Sequence, residues 1–126
     1  MNTPNSEPAD EHFSAEDLLA VTVDDPGMRR GLRDILLDES PRLLARIGSA
    51  LDAGDGAAAA DAAHALKSLV ATVGGRRAFA LANVIETTAR SGGAPPARTA
   101  FDALASSLIH LATALTAFVE CEERAC

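Results

Sequence analysis

The sequence predicts an all-α protein: an antiparallel up-down-up-down four-helix bundle with a short extra N-terminal helix. Three observations carry this expectation. The apolar residues are mostly Ala and Leu, aromatics make up 3% of the chain, and Trp and Tyr are missing. Ala and Leu are strong helix formers, whereas sheets favour β-branched and aromatic side chains. Apolar residues recur at three- and four-residue steps through each long segment, the period of one helix face. Short breaks of Asp, Pro and Gly separate these segments, so consecutive helices must turn back on one another.

With 126 residues, the chain has room for one domain, expected over 14–123. Residues 1–13 read as a disordered tail, since the first twelve carry two prolines and almost no apolar side chains. Ser14 suits a helix N-cap, with Asp17 as a capping-box partner and Leu18 and Leu19 following. This predicts a helix of two turns. The next helix starts at Asp25–Pro26, an acidic cap followed by a helix-start proline. Its stripe is Leu32, Ile35, Leu36, Leu43, Ile47 and Leu51, and it keeps phase across Pro41. That continuity favours a kinked helix over a fresh start capped by Ser40. Gly54 provides a left-handed ending. Asp55 caps a third helix that stops at Gly74–Gly75. A fourth carries Phe79, Ala82, Ile85 and Ala89 on one face and ends at Gly92–Gly93. Pro95–Pro96 open a fifth, with a stripe of Phe101, Leu104, Leu108, Leu111, Leu115 and Phe118.

The third helix carries the chemistry. At about 100° per residue, Ala57, Ala60, Asp61, Lys67, Ser68 and Ala71 fall within about 60° of His64, while Leu66, Leu69, Val70 and Val73 lie opposite. His64 is therefore expected at the centre of an outward face, not in the core. Ala60, Ser68 and Ala71 are small, so a second protein can close over the imidazole, and Lys67 lies one turn on. A neutral imidazole is a competent nucleophile near pH 7. A nearby ammonium disfavours the imidazolium and offsets the charge of an incoming phosphoryl group. Asp61, one turn back, is a candidate for holding or orienting the ring; with respect to Lys67 it reads as a solvated surface charge and not a partner.

His64-Ala-Leu-Lys67-Ser68 followed by Gly74-Gly75 resembles the signature of the histidine phosphotransfer (HPt) family, H-x-L-K-G with a glycine six residues on. Ile85–Glu86 falls where that family often has a leucine–glutamate pair, and the likeness spans residues 14–120. Position by position, it implies that His64 is phosphorylated, that Lys67 assists electrostatically, and that Gly74 closes the helix. The expected partner face is Ala60, Asp61, Ser68, Ala71 and Gly75. Two positions depart from the pattern: Ser68 replaces a common glycine, and Gly75 a common alanine. The Ser68 hydroxyl is free to bond the phosphoryl group, the ring or a carbonyl of its own helix. Gly75 is expected only to loosen the turn, and Glu86 to be a surface or ion-pairing carboxylate.

The resemblance implies a phosphoryl carrier with no nucleotide-binding or catalytic domain and no cofactor of its own. Its partners would be response-regulator receiver domains or a hybrid histidine kinase, with the divalent metal on the receiver. The alternatives are a phosphoacceptor domain of a chemotaxis-type or hybrid kinase, and a bundle that only binds a signalling partner. A dimerisation domain of a histidine kinase fits less well, because Ala65 stands where an acidic residue usually follows the histidine.

Composition excludes other classes. A formal net charge of −7, from 18 acidic and 11 basic residues, opposes general nucleic-acid binding. No unbroken apolar run reaches the ~18 residues of a membrane span, and MNTPNSEPADEH lacks the basic and apolar parts of a secretory signal. A cytoplasmic monomer is expected, and the starting Met and polar tail favour a separate polypeptide. Cys121 and Cys126 are expected as free thiols, being too few for a disulfide framework or a zinc set. His12 and His110 have no evident set of metal ligands.

Overall fold

The side chains that begin each helix fix where it starts. In the computed structural model, which describes residues 12–92 and 94–124, Ser14 Oγ accepts from the Asp17 amide at 3.1 Å and opens α1, Ala15–Thr22. Asp25 accepts from the Met28 amide at 3.0 Å and opens α2, Pro26–Asp52, with Pro26 at the first turn. Asp55 accepts from the Ala58 amide at 3.0 Å and opens α3, Gly56–Thr72. Each cap satisfies one of the amides that a helix N-terminus leaves without an internal partner. Gly75 caps α4, Arg76–Arg90, without a side-chain bond, and α5 is Ala94–Glu123. Gly54, with φ +69, ends α2 as expected. The described residues contain no strand.

α2 runs unbroken through Pro41, so a fresh start capped at Ser40 is excluded. The carbonyl that loses its donor there belongs to Leu37, an exposed residue. Consecutive helices from α2 to α5 pack on each other, and α2 also packs on α5, which closes the cycle; α1 rests on α2 and α3. The core lies inside that cycle. Leu36, Leu43 and Ile47 of α2 meet Leu66 and Val70 of α3, Ala82 and Ile85 of α4, and Leu104, Leu111, Leu115 and Val119 of α5. Each fully buried aliphatic side chain contributes about 1.5–3 kcal/mol. A smaller cluster of Ala50, Ala59, Ala89 and Ala97 closes one end.

Two stripe residues are exposed. Ile35 and Phe79 face outward, and Ala78 takes the buried position on α4. The buried set Ala78, Ala82, Ile85 and Ala89 follows i, i+4, i+7, i+11, and Phe79 lies one residue, about 100°, out of that phase. The boundary of the tail also moves. Residues 1–11 lie outside the described residues, but His12 and Phe13 pack against α5. The His12 ring stacks on His110 at 4.4 Å and its Nδ1 is 3.2 Å from Ser107 Oγ, while Phe13 meets the edge of Phe118 at 5.7 Å.

Among the described residues, α5 is long and apolar enough by length and composition to cross a membrane. Its Ser, Thr and His residues interrupt any continuous apolar run, and its Leu104–Val119 stripe forms the core. Arg29, almost fully buried, ties the ends of three helices. Its guanidinium makes a forked pair with Glu122 of α5, closest at 2.7 Å, and bonds Thr22 Oγ1 of α1 at 2.8 Å.

Candidate functional site

α3 packs between α2 and α4, and that sets which of its side chains remain accessible. Ala57, Ala58, Asp61, His64, Ala65, Ser68 and Ala71 are exposed. On the helical wheel these span about −20° to +120° from His64. The histidine therefore stands at the α4-side margin of the exposed sector, not at its centre. It is still open, with 60% of its side chain accessible.

That offset brings His64 against α4. Its Nδ1 is 3.0 Å from Glu86 Oε2. The other carboxylate oxygen, Oε1, is 2.8 Å from Lys67 Nζ. Oε1 is enclosed and has no aligned hydrogen bond, so charge pairing with the ammonium is what compensates it. Lys67 also donates to Asn83 Oδ1 at 3.2 Å, and its Nζ lies 5.7 Å from the centre of the Phe79 ring. Only 20% of its side chain is accessible, so it is a caged cation and not a solvated one. Arg90 stands 3.8 Å from both Glu86 Oε2 and Asp61 Oδ1.

The carboxyl of Glu86 is held below the ordinary glutamate range. Pairing with Lys67 is the largest cause; partial burial opposes it, and the His64 bond adds to the lowering. Glu86 is thus ionised at neutral pH, and an ionised carboxylate only accepts hydrogen bonds. Nδ1 of His64 must then be the donor. In the neutral ring, Nε2 carries the free lone pair.

The expected partner face is only partly accessible. Asp61, Ser68 and Ala71 are exposed, but Ala60 and Gly75 are buried. Ala60 lies on the α4 side of His64, in the arc that helix packing covers. Gly75 does more than loosen a turn: a Cβ there would stand 2.7 Å from Leu111 Cδ2 and 3.2 Å from Val70 Cβ. Gly74 adopts φ +78, which strains other residues, and its Cβ position is taken by the Ser14 carbonyl oxygen. The Gly74 carbonyl in turn accepts from the Ser14 amide at 2.8 Å, which seats α1. Ser68 Oγ bonds the carbonyl of His64 at 3.3 Å, so of its three options it takes its own helix. Asp61 faces Arg90, and Glu86, not Asp61, meets the ring.

The family model for the Hpt domain matches residues 31–119. This chain belongs to the Hpt domain family. No curated protein and no solved structure matches it. Within this Hpt domain Glu86 is the ion-pairing carboxylate the sequence suggested, with Lys67 and His64 as its partners, whereas nothing in the sequence singled out Asn83 and Arg90. With Phe79 and Glu86 they form a ridge on α4 at i, i+4, i+7 and i+11, visible as spacing. The helix that the ridge faces is not. As residue numbers fall along this ridge they rise along α3, from Asp61–Arg90 through His64–Glu86 to Lys67–Asn83. No group of His, Cys, Asp and Glu among the described residues is arranged to hold a metal ion.

Proposed function

We propose that this Hpt domain carries a phosphoryl group on His64 within a two-component phosphorelay, taking it from an aspartyl phosphate on one receiver domain and passing it to another. The observation that carries this reading is the pairing of an open His64 ring with Glu86 at Nδ1, 3.0 Å away, which leaves Nε2 as the nucleophile. In the transfer, the Nε2 lone pair forms the N–P bond as the bond from phosphorus to the aspartyl oxygen breaks. The aspartate departs as a carboxylate. The ring gains positive charge, which the Glu86 carboxylate offsets. Phosphoryl transfer needs little covalent machinery beyond in-line positioning and charge stabilisation. The divalent cation and most of the remaining active site belong to the receiver.

Lys67 acts in this reading through Glu86 as well as by its own field. The contact cycle and the opposed numbering along α3 and α4 support an antiparallel four-helix bundle. The exposure of Asp61, Ser68 and Ala71 supports docking of a receiver over the exposed sector of α3. The carrier acts as a cytoplasmic monomer, with a kinase supplied by its partners.

The test is incubation with a phosphorylated receiver domain, followed by assay for acid-labile, alkali-stable label. The expected result is labelling of the wild type and none of His64→Gln. Equal labelling of His64→Gln disproves the assignment. A wild type that no receiver labels points to a bundle that binds without carrying phosphate.

A further inference from the structure

The cage around Lys67 reaches beyond the residues assigned above. An ammonium on a long, flexible stem has three N–H donors and many rotamers. Here it is held from three sides by α4: the Glu86 carboxylate at 2.8 Å, the Asn83 amide oxygen at 3.2 Å, and the Phe79 ring at 5.7 Å. Glu86 is the group that must stay in place, since its second oxygen sets the orientation of His64. Asn83 lies one turn from Glu86 on the same ridge. Its oxygen occupies the donor that would otherwise draw the ammonium toward water. Arg90 is no substitute, because it stands at 3.8 Å from Glu86 and shares its guanidinium with Asp61.

The geometry assigns Asn83 as a positioning residue for phosphoryl transfer: by holding Lys67 against Glu86, it keeps His64 in the Nδ1–H form with Nε2 free to attack. This rests on the reading of His64 as the phosphoryl carrier. Asn83 touches neither the ring nor the incoming group, so its effect passes along the chain Asn83, Lys67, Glu86, His64. An acceptor oxygen is what the position requires. Asn83→Asp retains one in the same place, whereas Asn83→Leu keeps the size and removes it.

Two readouts test the assignment on the full chain. The first is the His64 tautomer, read by long-range proton–nitrogen correlation on the ¹⁵N-labelled ring. The second is the rate of labelling by a phosphorylated receiver. Asn83→Leu is expected to lower the Nδ1–H population and slow labelling about three- to tenfold, as for loss of a partly exposed hydrogen bond to a charged group. Asn83→Asp is expected to restore both. An unchanged tautomer in Asn83→Leu overturns the assignment, whatever the rate does. So does an Asn83→Asp variant as impaired as Asn83→Leu. If the tautomer responds as expected but the wild type accepts no phosphoryl group, the positioning role of Asn83 stands and the phosphorelay reading fails.

Discussion

Glu86 Oε2 meets His64 Nδ1 at 3.0 Å, across the seam between α3 and α4. One carboxylate thereby joins the His64 ring to Lys67, because its other oxygen is 2.8 Å from Lys67 Nζ. The pairing explains why a histidine at the margin of the exposed sector is better placed than one at its centre. Only at the margin can a side chain from the neighbouring helix hold one ring nitrogen while solvent and partners reach the other.

Glu86→Gln keeps the shape and removes the charge. The amide can still accept from Nδ1, but it no longer offsets positive charge on the phosphorylated ring, and it leaves Lys67 without its anion. Labelling of His64 by a phosphorylated receiver is expected to slow about tenfold, the size of losing a charge-assisted hydrogen bond. Single-turnover kinetics check this. A rate equal to wild type would show that the carboxylate is incidental to the transfer.

Acid is expected to weaken the fold through its paired carboxylates. Glu122 is held below the ordinary glutamate range chiefly by its hydrogen bonds to Arg29, against the opposing effect of burial; Asp17 is lowered chiefly by Arg76, and Glu86 by Lys67. A carboxyl whose folded-state pKa is lowered contributes stability in full above its unfolded value. That stability is lost as pH falls through the folded value. The melting temperature should therefore not change with pH on account of these groups between about pH 7 and pH 5.5, and fall below about pH 4.3. Glu122→Gln should be less stable at neutral pH and show a shallower acid decline. Parallel melting curves for parent and variant across that range would contradict this account.

The two glycines that end α3 should respond differently to alanine. At Gly75 the new methyl meets the end of the Leu111 side chain at 2.7 Å. That side chain can give, and Val70 Cβ and the Val70 carbonyl oxygen, at 3.2 and 3.3 Å, need give only by a few tenths of an ångström, so a cost of about 1–2 kcal/mol is expected. At Gly74 both the positive φ and the Ser14 carbonyl oppose a side chain. Backbone cannot yield as a methyl does, and about 2–4 kcal/mol is expected. Urea midpoints at constant slope rank the two. A Gly75→Ala variant less stable than Gly74→Ala would reverse the argument.

The sequence by itself determined the helices, their caps and the outward direction of His64. Ser14, Asp25 and Asp55 cap as local chemistry requires, because a cap bond spans only three residues. The leucine stripe of α5 is buried along its length, because periodicity is a property of one helix. His64 was legible as an outward residue for the same reason. The tertiary structure alone decided its surroundings. A wheel drawn for one helix cannot show that α4 covers Ala60, that Val70 and Leu111 enclose Gly75, or that Phe79 turns out of the core toward Lys67. Nor can it show that Glu86, 22 positions from His64, supplies the partner that Asp61 was placed to offer. Caps and stripes are set within a few residues. The tautomer and charge of a site are set by whatever side chains neighbouring helices bring within about 3–4 Å.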